Sequence, residues 1–306
     1  MMGYKVLVIM STYNGENYLS EQLNSIFNQS GVDVSVWVRD DGSQDRTMEI
    51  LEESSKKNSL RFYKDGSNLG PARSFLKALK DSGNDYDFYA YADQDDIWFP
   101  EKMKNACEKL STYPVDQPNL YCSTYDVVDN NLNVLFKREM HAHIPLTLEA
   151  TIIDRSPSGC TMLFNKTLRD ILCTSNPKSI RMHDYWTLLT TEALNGNIYF
   201  DENSTMLYRQ HEYNNVGYTN KNVFKRIRRL VKSAVKQKNE RQQQAISVYE
   251  CYKERIESEK LAELKKVVFY RDSLKNRFRL VKSKNFVTDT HLNTWLFKFS
   301  VILGIF

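Results

Sequence analysis

DFYAYADQDDIW, residues 87–98, decides the fold. Its first half is an apolar, aromatic run of strand length, and its second half sets three carboxylates, Asp93, Asp95 and Asp96, against the strand's C-terminal end. An α/β sheet has this pattern, because its ligands bind beyond the carboxyl ends of its strands. Upstream, VLVIM (6–10), VSVWV (34–38) and LRFYK (60–64) read as strands, while Glu16–Asn28, Thr47–Lys57 and Ala72–Lys80 carry helical patterns. This alternation predicts a mainly parallel sheet flanked by helices. Downstream, short strands are expected at Gly159–Phe164, Ile198–Phe200 and Thr205–Tyr208, with a helix beginning near His183.

The 306 residues, 41% of them hydrophobic, suffice for a sizeable core and an appendage. Five cysteines, odd in number and scattered, fit neither a disulfide framework nor zinc spacing, so a reducing compartment is expected. VLVIM is too short for a signal-peptide core. Charge is divided along the chain: residues 1–214 carry 21 basic and 30 acidic side chains, residues 215–306 carry 21 and 8. After Gly217 no Gly or Pro occurs until Gly304, which places a boundary near residue 218 between an α/β body (1–217) and a basic helical region (218–306).

Three carboxylates packed at one strand end repel one another. A divalent cation relieves that repulsion, and clustered hard oxygen donors suit magnesium or manganese. Asp also caps helices well, and Pro100 opens one here, but a single cap needs only one such residue. A second acidic turn, DDGS (40–43), reads equally well as a left-handed turn with a helix cap. STYNGE (11–16) offers hydroxyls and amides after the first strand.

In order, STYNGE, VRDDGSQDRT (38–47), NLGPARSF (68–75), YADQDDIW (91–98), HDYW (183–186) and YRQH (208–211) resemble the inverting, metal-dependent glycosyltransferases of family 2, which have the GT-A fold. The chain is most similar to the bacterial rhamnosyltransferase-like branch, whose members often show DQDDIW. The resemblance spans about the first 217 residues. It implies that Thr12, Tyr13 and Asp40 hold the nucleotide base, that Arg73 lies near the base or diphosphate, and that Asp93 faces the ribose. It further implies Asp95 as main metal ligand, His211 as a late metal ligand, Mn2+ or Mg2+ as cofactor, and Asp184 as the acceptor-activating base. His183 stands where Glu is frequent in the family. The donor implied is dTDP-rhamnose or a UDP-sugar, and the acceptor a glycan or lipid-linked hydroxyl at the inner face of the plasma membrane. Trp98 reads as core rather than as a sugar platform.

Between Val223 and Val235 apolar residues share one helical face and Lys and Arg the others, a pattern for an anionic bilayer surface or for packing on the body. WLFKFSVILGIF (295–306) is too short to span a membrane and is expected to dock or dip. Apolar Tyr249, Tyr252, Ile256, Leu264 and Val268 suggest a homodimer seam as an alternative. A metal-dependent nucleotidyltransferase would need a glycine-rich phosphate loop, which STYNGE is not. A nucleic-acid adaptor fits poorly with an acidic body that repels phosphate backbones, and a membrane-binding adaptor without turnover is the remaining alternative.

Overall fold

The computed structural model of the chain describes residues 3–138, 147–154, 157–210, 240–286 and 291–306. Its strands are β1 (Tyr4–Thr12), β2 (Val32–Asp40), β3 (Leu60–Lys64), β4 (Phe88–Ala92), β5 (Ile97–Trp98), β6 (Asn119–Val128), β7 (Val134–Lys137), β8 (Leu163–Asn165) and β9 (Asn197–Arg209). Around them lie α1 (Leu19–Phe27), α2 (Thr47–Ser55), α3 (Pro71–Asp81), α4 (Lys102–Leu110), α5 (Leu148–Asp154), α6 (Lys166–Thr174) and α7 (His183–Ala193). Four more helices follow: α8 (Glu240–Tyr252), α9 (Ser258–Val268), α10 (Leu274–Lys282) and α11 (His291–Leu303).

One sheet runs in the order β3-β2-β1-β4-β8-β6-β9-β5, with β7 beside β6. β1, β2, β3 and β4 are parallel. β8 is antiparallel to both β4 and β6, so β6 and its parallel partner β9 regain the direction of the first four. The sheet is thus mainly parallel, as its alternating helices require. GCTMLF is not one strand: Gly159–Thr161 form a 3-10 turn and only Leu163–Asn165 pair. The two short strands expected after residue 197 are a single long one, β9.

Successive residues of β1 face opposite sides of the sheet, and the core divides accordingly. Val6, Val8 and Met10 pack with Leu19, Leu23 and Ile26 of α1 and with Met103 and Leu110 of α4. Leu7 and Ile9 pack with Phe75 and Leu79 of α3 and with Trp186 and Leu189 of α7. Trp98 is buried in the first of these layers, as its sequence context suggests.

The second layer continues into the C-terminal helices. Tyr252, Ile256, Leu264 and Val268 are buried in the same cluster as Trp186, and Tyr252 stacks on Trp186 with centroids 5.9 Å apart. The dimer seam expected from these residues is therefore covered within the chain, because the apolar face of each helix finds α5 and α7 first. The expected boundary near residue 218 and the basic helix at 223–235 lie outside the described residues. Trp186→Ala is expected to cost about 3–5 kcal/mol and to lower one shared thermal transition followed by circular dichroism. Separate melting of the C-terminal helices would contradict a common core.

Candidate active site

Because β1, β2 and β4 run parallel in matched register, Thr12 lies beside Asp40 and Met10 beside Ala92, so the loops after them open at one edge. A cavity of about 1070 Å³ lies there. Its walls come from Thr12, Tyr13 and Asn14 after β1, Gly70 and Pro71 at the start of α3, and Asp93, Gln94 and Asp95 after β4. Gly159 lines it from the 3-10 turn, Arg181, His183 and Asp184 from the entry to α7, Tyr125 and Tyr208 from β6 and β9, and Arg138 from the residue after β7. The turn into α3 needs a left-handed residue followed by one preset for the first helical position, and Gly70 (φ 72) and Pro71 supply both.

The carboxylates share this space. Burial, then repulsion from Asp95 and Asp184, pushes the Asp93 carboxyl up to about 7. Asp184 accepts from the Tyr185 amide at 2.6 Å and from the Gly159 amide at 3.1 Å. Burial pushes it up to about 6, against the pull of those amides and of Arg181. Asp96 is wholly buried and outside the cavity lining, and neither of its oxygens has a hydrogen-bond partner among the described residues. Burial, Asp95 and Asp93 together raise its pKa far above the usual carboxylate range. Behind it lies Lys102, whose Nζ donates to the Cys160 carbonyl at 2.8 Å and sits 4.8 Å from the Trp98 ring centre. Burial lowers that ammonium to about 8.

Oxygens of Asp93 and Asp96 and the sulfur of Cys160 lie within 4.8 Å of one another, close enough to surround an ion. Cys160, however, is fully buried, with a thiol raised well above its ordinary value by burial and the nearby carboxylates. A protonated thiol is a poor donor to a hard cation. Asp93 and Asp95 face the cavity with hard carboxylate oxygens, the donor type that suits magnesium or manganese.

His183 lines the cavity beside Asp184. Burial holds its imidazole neutral, at about 3. It stacks on Phe75 at 3.9 Å and meets Tyr91 edge-on at 4.6 Å, while neither ring nitrogen has a hydrogen-bond partner among the described residues. A Cβ on Gly159 would stand 2.4 Å from its Nε2.

Of the residues singled out in the sequence, Thr12, Tyr13, Asp93, Asp95 and Asp184 line the cavity together. Asp40 does not. Its fully buried carboxylate accepts from Thr12 Oγ1 at 3.0 Å, from the Ser43 hydroxyl at 2.5 Å, and from the Gly42 and Ser43 amides at 3.1 and 2.9 Å. With its lone pairs spent on its own turn, Asp40 shapes the loop instead of reaching the cavity. Arg73 is exposed in the first turn of α3 and is not among the cavity residues. His211 lies outside the described residues, two positions beyond Arg209, whose Nε donates to the Asp95 carbonyl at 3.1 Å.

Three residues escape a reading of the sequence. Gln94 pairs with the Tyr13 backbone through both ends of its amide, at 2.9 and 3.1 Å, tying the β1 loop to the β4 loop. Arg39, fully buried, donates to Asp41, Asp65, Ser67 and Ser74, tying the loops after β2 and β3 to α3. Gly159, within an expected strand, instead opens the 3-10 turn that holds Asp184 through its amide.

A sequence model described as "Glycosyl transferase family 2" matches residues 7–172. The chain is also 34% identical over 220 residues to the dTDP-rhamnosyl transferase RfbG of Shigella flexneri, covering 68% of this chain and 73% of that protein.

The chain belongs to glycosyl transferase family 2.

Solved members share the GT-A fold. The TarS 1–349 structure from Staphylococcus aureus, in complex with UDP-GlcNAc, superposes with a TM-score of 0.58 at 21% identity, covering 98% of this chain and 82% of that one. The mannosyltransferase PcManGT of Pyrobaculum calidifontis, in complex with GDP-Man and Mn2+, gives 0.54 at 16% identity, covering 100% and 82%. This chain is thus a glycosyltransferase, with its cavity at the open edge of a GT-A sheet.

Gly159→Ala tests the fit between the 3-10 turn and α7. The added methyl must displace His183 and lies 3.3 Å from the Asp184 Cβ. The expected stability cost is about 1–3 kcal/mol, with at least about a tenfold loss of turnover because the acid is moved off position. Unchanged kcat would show that this wall is slack.

Proposed function

We propose that this glycosyltransferase is an inverting, divalent-metal-dependent enzyme that moves a sugar from a nucleotide diphosphate to a hydroxyl of a glycan or lipid-linked acceptor in surface polysaccharide synthesis, at the inner face of the plasma membrane. The observation that carries this reading is the convergence of Asp93, Asp95 and Asp184 on one cavity, with Asp184 held by two backbone amides. L-rhamnose on dTDP is the favoured donor, supported by the similarity to the Shigella flexneri dTDP-rhamnosyl transferase. A UDP-linked hexose is the next, in view of the likeness to TarS with its bound UDP-GlcNAc.

In this reading Thr12 and Tyr13 hold the base, Asp40 fixes Thr12 from behind, and Asp93 faces the ribose. Arg73 is assigned to the diphosphate, since it stands on the helical turn whose Gly70 and Pro71 line the cavity. A manganese or magnesium ion held by Asp95 and His211 would neutralise the charge that builds on the departing diphosphate. Asp184 takes the proton of the acceptor hydroxyl as that oxygen bonds to the anomeric carbon. The bond from that carbon to the phosphate oxygen breaks, the nucleotide diphosphate leaves, and one displacement inverts the configuration.

Incubation with a panel of dTDP- and UDP-sugars, read by nucleotide diphosphate release, tests the reaction class. Release is expected with one of them, its loss in EDTA, and its return with Mn2+ or Mg2+. Pyrophosphate release from a nucleoside triphosphate instead would sink the reading.

Asp184→Asn is expected to lower kcat by about 10²–10⁴-fold, and wild-type kcat should fall as pH drops below about 6 and the base is protonated. A carboxyl raised from its ordinary 3.8 to about 6 binds its proton more tightly in the folded chain, so its contribution to stability falls as pH rises across that interval. Calorimetry should show a shallower decline in Asp184→Asn than in the wild type, the remainder coming from the raised carboxyls of Asp93 and Asp96. Full turnover in the variant would remove Asp184 from the mechanism.

A further inference from the structure

Helix α11 is apolar on both sides. Phe297 and Val301 are buried, Phe297 against Phe286 and Phe306 with centroids 6.2 and 4.8 Å apart. On the opposite arc Trp295, Leu296, Phe299, Ile302 and Leu303 are 61, 50, 46, 43 and 51% exposed. At 100° per residue these five share one face of about 120°. Trp295 and Phe299 lie nearly parallel on it, with centroids 5.4 Å apart. The neighbouring α10 exposes Leu274 and Phe278 as well, and is joined to α11 where Arg277 donates to the Ile302 carbonyl at 2.9 Å. A helix apolar all round is normally covered on every side, and a contiguous apolar surface of this kind marks an interaction site.

Charge indicates the occupant. From residue 273 to 306 the sequence has six cations, Lys275, Arg277, Arg279, Lys282, Lys284 and Lys298, and a single acid, Asp289. A second copy meeting this surface about a two-fold axis would set those cations against themselves. An anionic bilayer instead meets them with lipid phosphates and accepts the aromatic rings at head-group depth. The 13 residues of α11 extend about 20 Å, and no helix of the described residues is long and apolar enough to cross a membrane.

We propose that the exposed face of α11, with the adjoining end of α10, is a docking surface for anionic lipid bilayers, into which Trp295, Phe299 and Ile302 insert at head-group depth while the surrounding Lys and Arg bind phosphates. It gives the membrane contact of the proposed function a physical location, apart from the basic segment at 223–235. Its test reads binding and not turnover, so either reading can fail alone.

The full chain is sedimented with phosphatidylcholine–phosphatidylglycerol vesicles and with pure phosphatidylcholine vesicles. Binding is expected to the anionic vesicles, at least about tenfold tighter than to the neutral ones, with a blue shift of tryptophan emission that Trp295→Phe removes. The double variant Trp295→Ser, Phe299→Ser changes exposed side chains only. It should keep the wild-type circular dichroism spectrum and nucleotide diphosphate release while losing about tenfold or more in vesicle affinity. Lys275→Glu with Lys282→Glu should lose the preference for anionic lipid. Wild-type affinity in the double variant, or equal binding to both vesicle types, overturns the proposal. So does light scattering that shows a dimer which the double variant abolishes, because a second copy would then be the occupant.

Discussion

The mutual repulsion of carboxylates in a sparsely solvated space is the constraint around which this protein is built. Asp93, Asp95 and Asp184 share one cavity, and Asp96 lies buried just outside its walls. Burial first, and then the charge of the neighbouring aspartates, pushes Asp93 and Asp96 upward. Lys102 moderates this from behind, a cation itself weakened by burial. Such an arrangement is costly to fold and concentrates negative charge at the cavity, the kind of perturbed cluster that marks a functional site.

Holding those groups in place falls to the loops, and the loops are tied to one another more than to the helices. Asp40 fastens the β2 turn to Thr12, Gln94 fastens the β4 loop to Tyr13, and Arg39 draws Asp41, Asp65 and Ser74 together. None of these bonds is strong alone. Their shared effect is that the cavity walls are set before any ligand arrives, which reduces the reorganisation needed in the transition state.

The C-terminal helices extend the core behind α7 and carry the cationic, apolar surface of α10 and α11. Asp184 begins α7, and Trp186, two residues later, stacks on Tyr252 of α8. The helix that begins with the candidate base is therefore packed against α8, whereas the exposed aromatic face lies on α10 and α11.

The α/β order, the mainly parallel sheet and most of the cavity residues were legible in the sequence, because strand periodicity and the polar residues that end each strand are local signals. Asp93 and Asp95 follow a strand end, whereas Thr12, Tyr13 and Asp184 stand out through the resemblance to family 2 glycosyltransferases, and all five line the cavity. Only the tertiary structure decided the rest. Whether Asp40 faces the cavity or its own turn depends on which donors surround it. A side chain is excluded at Gly159 because α7 brings His183 within a methyl's width of it. The apolar faces of α8 and α9 could have met a second chain or their own, and the position of α5 and α7 chose the latter. Periodicity tells which residues seek cover, and only packing tells what covers them.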